Sequence, residues 1–318
     1  MNAMSSVRSP RLRAAVVAAS ACALAALLSI GLSAQPAPHR VFATPEAAVQ
    51  ALIDTVKAGN LDELIAIFGP DSRDLVASSD PATGRENREV FTVAAAERWH
   101  LVDDKPNRKT LVIGNEDWPF PVPLAKTAAG WLFDTAAGKE EVIDRRIGQN
   151  ELAAIDTCHA YVTAQHRYAQ SGHDGRPEGL YAATFNSDPG KENGLYWPAV
   201  HPHKLSPLGD LLAQAAQDGR PVDPNRAEPA PYNGYYFKIL TAQGAHVSGG
   251  AKSYIKDGNM SGGFALVAWP AQYNATGVMT FLVDQSGVVH EKDLGTATDA
   301  TVKQMTAYNP DASWHPVR

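Results

Sequence analysis

Residues 231–294 read PYNGYYFKILTAQGAHVSGGAKSYIKDGNMSGGFALVAWPAQYNATGVMTFLVDQSGVVHEKDL, and the rest of the chain is organised around this stretch. Three runs in it, 235–241, 264–269 and 278–283, mix aromatic and β-branched residues between Gly, Pro, Asn or Asp. That is the composition of short strands. Between Val283 and Val288 lies a four-residue turn ending in Gly287, which can take the left-handed conformation of a type I turn plus bulge. An antiparallel sheet of four or five strands is expected.

Working outward, Asn150 reads as the cap of a helix, ELAAIDTCHAYVTAQHRYAQ, that stops near Ser171-Gly172. Leu152, Ile155, Cys158, Tyr161, Val162 and Tyr168 recur at helical spacing as an apolar face, and the sheet is its natural cover. Residues 185–203 are irregular, a short helix is expected over 207–218, and 221–231 is a Pro-rich connector. Upstream, Thr44-Pro45-Glu46 starts a helix with cap, proline and first-turn acid in order. Its inward stripe is Val49, Leu52, Ile53 and Val56, and Gly59-Asn60 ends it. Leu61, Leu64, Ile65 and Phe68 mark a second helix that stops at Gly69-Pro70. Two further short helices are expected in 71–98. Short strands follow near 99–102, 110–112, 122–126 and 130–134, and 140–149 forms a charged helical bridge. Helices followed by a curled antiparallel sheet define an α+β fold.

A chain of 318 residues suits two domains. Boundaries are expected at 41–148 and 149–318, after a leader over 1–34 and a linker over 35–40. Arg8, Arg11 and Arg13 precede an apolar run from Ala14 to Leu32 that ends in small residues, the layout of a cleaved secretory signal. An uncleaved anchor is the competing reading, because the run is about long enough to span a bilayer. Cleavage takes three arginines and no acid, moving the net charge from −6 to −9. So acidic a chain suits neither nucleic acid nor an anionic membrane surface. Cys158 would remain alone, which excludes an internal disulfide. The expected location is periplasmic or secreted, with no stable membrane span after cleavage.

No nucleophile turn, P-loop or zinc-helix motif occurs in the sequence. No cofactor is implied, and no catalytic residue can be singled out. His159, His166 and His173 recur every seven residues, but two helical turns hold the first pair about 10 Å apart, too far for one metal ion. His201 and His203 read as a surface loop between prolines. Cys158 reads as a core thiol. The candidate site residues fall in two groups. Glu116, Asp117 and Trp118, with Trp131 and Trp99, would mark the mouth of an N-terminal pocket. Tyr196, Trp197 and Tyr236 belong to an aromatic-rich sheet and loop that suits a glycan or a peptide strand. Both groups have a plain alternative, an exposed acidic turn beside ring anchors and rings that fill a thin core.

The stretch PVPLAKTAAGWLFDT resembles the closing hairpin of the NTF2-like domain, a cone that encloses a pocket. The meander with Thr276-Gly277, Phe281, Asp284 and Gly287-Val288 resembles the globular part of type IV pilins, although an upstream domain sets this chain apart from pilin assembly. Taken whole, the sequence resembles a bacterial exported family known as domain of unknown function 2950. That likeness is carried by FATPEAAVQALIDTVKAGNLDELIAIFGPDSRDLVASSDP, EDWPFPVPLAKTAAGWLFDTAAGKEE, RRIGQNELAAIDTC, GLYWP, YNGYYFKILTAQG and GGFALVAWPAQYNATGVMTF. It implies export from a Gram-negative cell and carries over no activity. SGHDGRPEG keeps only Asp174 and Glu178 as acids, too few for a cation loop. Three functions are therefore expected: a non-catalytic envelope protein that binds a protein or glycan through aromatic surface, a small-molecule site in the N-terminal pocket, or a self-associating structural subunit.

Overall fold

A computed structural model describes residues 39–76, 81–197, 205–208 and 231–317. The leader over 1–34, His201 and His203, most of the helix expected over 207–218 and the connector from 221 to 230 lie outside the described residues.

Helix α1 spans Pro45–Ala58; Thr44 Oγ1 accepts from the Ala47 N–H at 3.1 Å, and Gly59 closes the helix at φ 65°. Helix α2, Leu61–Phe68, is capped by Asn60 through the Glu63 N–H at 3.1 Å. Both caps follow the expected chemistry. The buried stripe of α2 is Leu64, Ile67 and Phe68, whereas the predicted Leu61 lies at the helix start and is exposed. A 3₁₀ turn (Pro70–Ser72), the short α3 (Arg73–Val76) and α4 (Pro81–Glu97) follow. Strands β1 (Trp99–Lys105), β2 (Arg108–Ile113), β3 (Trp118–Pro119), β4 (Leu124–Thr127) and β5 (Gly130–Phe133) form the first sheet, in the order β1-β2-β4-β5. β3 and β4 share β2, with Ile113 opposite Trp118 and Lys109 opposite Leu124. Phe42, Leu52, Ile67, Leu111, Ile113, Leu124 and Phe133 fill the space between helices and sheet.

Helix α5 corrects the expected break at Asn150. It runs unbroken through Thr135–Ala169, about 50 Å. Its cap is Asp134, whose Oδ1 accepts from the Ala137 N–H at 3.2 Å. Asn150 lies mid-helix and donates its side-chain amide to Thr276 O at 2.8 Å. Its side chain serves a tertiary contact, which local sequence does not distinguish from a cap. Gly138 packs on Val122, while Ala154, Cys158, Tyr161, Ala164 and Tyr168 enter a second core. Leu152, predicted inward, is 67% exposed. At 100° per residue it points about 160° away from Ala154.

The second core is built on strands β6 (Tyr235–Leu240), β11 (Ala265–Pro270), β12 (Met279–Asp284), β13 (His290–Asp293) and β15 (His315–Pro316), in the order β15-β13-β12-β11-β6, all antiparallel. Every residue of β11 is buried. Successive side chains point to opposite faces, so both faces of this strand are covered; α5 and α6 (Thr298–Gln304) both pack against it. The predicted hairpin is present. Gly287 has φ 77°, its N–H donates to Asp284 O at 3.0 Å, and Asp284 Oδ1 accepts from the Ser286 N–H at 3.0 Å. Strands β7 (Ala242–Gln243), β8 (Lys252–Ser253) and β14 (Ala307–Tyr308) form a small mixed sheet, and β9 (Ile255–Lys256) pairs with β10 (Asn259–Met260). The α+β class is as expected. The described residues all fall within one compact unit.

Candidate functional site

The end of α2 meets the start of α5. Thr135 Oγ1 donates to Phe68 O, tying two residues that are 67 apart in sequence. The junction leaves a cleft of about 750 Å³, lined by His39, Phe68, Asp71, Leu132, Asp134 and Lys139 together with the Gly69-Pro70 turn. Gly69 has φ 88°, and a Cβ there would stand 3.1 Å from the His39 ring, so the glycine makes room for the imidazole. Burial pulls the His39 imidazole below its ordinary value, against the backbone hydrogen bonds to Ile67 and Phe133 and the charge of Asp134. The ring is therefore neutral at pH 7. The wall presents carboxylates at Asp71 and Asp134, an ammonium at Lys139 and apolar surface at Leu132. A concave site of this volume with a few convergent polar groups suits a small molecule.

The predicted mouth residues lie elsewhere. Glu116 and Asp117 sit in the exposed turn between β2 and β3, and Asp117 pairs with Arg98. Trp118 is 45% exposed, edges against Phe120 with ring centroids 6.1 Å apart, and carries the Arg145 guanidinium 5.5 Å from its own centroid. Arg145 is held in turn by Glu141 at 2.7 Å and by Pro119 O at 2.8 Å. Trp131 exchanges backbone hydrogen bonds with Phe42 at 2.7 and 2.8 Å. None of Glu116, Asp117, Trp118 and Trp131 lines the cleft. Sequence reasoning missed the cleft because His39 read as linker, Gly69 as a helix stop and Asp134 as the end of a strand, whereas Asp134 caps α5.

Tyr196, Trp197 and Tyr236 do not form an open aromatic row. Trp197 is 8% exposed and belongs to the second core. It stands 5.5 Å from the ring of His173 and 6.5 Å from that of Tyr168. Tyr236 is half-buried against Trp269, with centroids 5.6 Å apart. Tyr196 is half-buried, and its backbone bridges to Phe185 and Ser187. The rings that read as a surface are largely interior because a thin core is filled from both sides.

His166 edges against Phe264 at 5.3 Å, and His173 stacks on Tyr168. Among the described residues no three His, Cys, Asp or Glu side chains are grouped to hold a metal. Cys158 is buried, and burial pushes its thiol up to about 12, so it stays protonated and inert at neutral pH.

Two helix-covered antiparallel sheets joined by one long helix define an α+β protein with a cleft beside its first core. The chain matches the family described as protein of unknown function, DUF2950, over residues 39–317, and it belongs to that family. No curated protein and no solved structure matches it, so the NTF2-like and pilin-like likenesses rest on sequence pattern alone.

Proposed function

We propose that this chain is an exported, periplasmic or secreted, non-catalytic binding protein that holds a small polar molecule in the α2–α5 cleft. The observation that carries this reading is the cleft itself, about 750 Å³ with two carboxylates, an ammonium and a neutral imidazole around apolar wall. Native mass spectrometry of the mature protein from its own cells tests it. A small mass that leaves on denaturation is expected. Ala136 lines the cleft and is exposed, so Ala136→Trp should fill the space, remove the adduct and leave the melting temperature within about 2 °C of wild type. A bare wild-type protein, or an adduct that survives Ala136→Trp, removes the cleft from the account.

A second reading, a protein or glycan partner on aromatic surface, is favoured by Trp118. It is an exposed ring held in place by Arg145, and Trp and Arg dominate interface energetics. Trp118→Ala should weaken an envelope partner by about thirtyfold, roughly 2 kcal/mol, with little change in stability. Unchanged capture by the variant would end this reading.

A further inference from the structure

His173 stands where α5 ends and the segment 173–197 folds back. Its ring stacks on Tyr168 at 4.0 Å with an interplanar angle of 16°. Nε2 lies 3.0 Å from Tyr168 O, and Nδ1 lies 3.4 Å from Glu192 Oε2. A carbonyl oxygen only accepts, and so does an ionised carboxylate. The doubly protonated ring therefore satisfies both contacts by donating twice. A neutral ring donates once and turns a nitrogen lone pair toward an oxygen.

The surroundings join the same parts. Glu192 donates its N–H to Asp174 Oδ2 at 2.9 Å, and Tyr168 Oη donates to Glu192 O at 2.9 Å. Arg176 Nη2 donates to Tyr168 Oη at 2.9 Å. Among the described residues the charges around the ring are Glu192 and Asp174, both negative, against Arg176. Trp197 closes the remaining side. The His173 side chain is 10% exposed and that of Glu192 24%, so screening by water is partial.

We infer that His173 is a proton-operated clasp, fastening residues 186–197 to the end of α5 when its ring is cationic and loosening them when it is neutral, so that Trp197 is uncovered as pH rises. The sign follows from the donors. The hold is present where the ring carries both protons and is lost as pH rises and the ring gives one of them up. The device gives the predicted aromatic residues Tyr196 and Trp197 a route to the surface that the closed structure denies them.

Amide hydrogen exchange on the full mature chain, corrected for intrinsic rates, is the test. Protection across 186–197 should be roughly fivefold higher at pH 5.5 than at pH 7.5, the size of one modest hydrogen bond. His173→Asn and Glu192→Gln should each flatten that difference, while exchange across β11 and β12 stays unchanged. Ring ¹⁵N shifts of His173 provide a second readout that needs no variant and should report both nitrogens protonated at pH 5.5. Equal wild-type protection at the two pH values, a neutral ring at pH 5.5, or an undiminished difference in His173→Asn would overturn the clasp.

Discussion

Glu151→Ala should destabilise the protein by about 3 kcal/mol, among the largest losses available from a single polar side chain. Glu151 Oε1 accepts from two consecutive backbone amides, Val278 N–H at 2.8 Å and Met279 N–H at 2.9 Å. The Tyr235 hydroxyl lies 3.5 Å from the same oxygen and donates its single proton to Met279 O at 2.9 Å. Burial pushes the Tyr235 phenol far above its ordinary value, and the Glu151 carboxylate adds to the rise. Next to it, Asn150 holds Thr276 O, and a Cβ on Gly234 would stand 2.5 Å from the Asn150 amide. One turn of α5 thus positions the entry into β12. Alanine leaves two part-buried amides without their acceptor, the costly side of hydrogen-bond loss.

Glu151→Gln keeps an acceptor oxygen without the charge and should cost about 1 kcal/mol. Glu141→Ala serves as the control on the same helix. Its partner Arg145 is part-exposed and one helical turn away, so the change should stay within about 0.5 kcal/mol. Urea unfolding followed by circular dichroism ranks the three. A Glu151→Ala loss no larger than that of Glu141→Ala would show that this carboxylate does not fasten helix to sheet.

Much of this arrangement could be read from sequence wherever the deciding chemistry is local. Thr44-Pro45 and Gly59-Asn60 carry their own cap and stop, and Asp284 to Gly287 carries a complete turn, so these features are where the residues place them. The aromatic and β-branched runs defined the meander for the same reason. What was not legible depends on distant partners. Asn150 has the side chain of a helix cap, and only the position of Thr276 reveals that it is a mid-helix tie. Leu152 looks apolar enough for the core, but its phase on the helix, about 160° from Ala154, turns it to solvent. The cleft is the extreme case. It exists because Phe68 O meets Thr135 Oγ1 and because Gly69 makes room for His39, and neither encounter has a signature in any short window. Trp197 was grouped into an aromatic binding row because many rings lie near it in sequence, with core filling as the alternative; ring contacts with Tyr168 and His173 place it inside.

Gly138→Ala puts the two ways of reading a residue in direct opposition. Glycine to alanine inside a helix ordinarily gains about 1 kcal/mol, and Gly138 lies within the first two turns of α5. A Cβ there, however, would stand 2.7 and 2.9 Å from the two Val122 methyls and 3.0 Å from Val122 Cβ. All three distances are well inside ordinary carbon contact. Val122 has little freedom to yield. It is 1% exposed within the first core, and Pro121 and Pro123 restrict the backbone on both sides. Rotating its one χ1 angle moves a methyl but not Cβ. Overpacking of this kind costs about 1–3 kcal/mol, so with the propensity gain of about 1 kcal/mol set against it the expected net loss is about 1 kcal/mol. Val122→Ala alone should cost about 2 kcal/mol by opening a void. The double variant should be no less stable than Val122→Ala, because the new methyl takes up part of that void, giving a favourable coupling of about 1 kcal/mol. Urea melts of the four proteins provide the cycle. A Gly138→Ala protein more stable than wild type, or a double variant that is simply additive, would mean that the approach of α5 to Val122 is loose and that local propensity governs this junction.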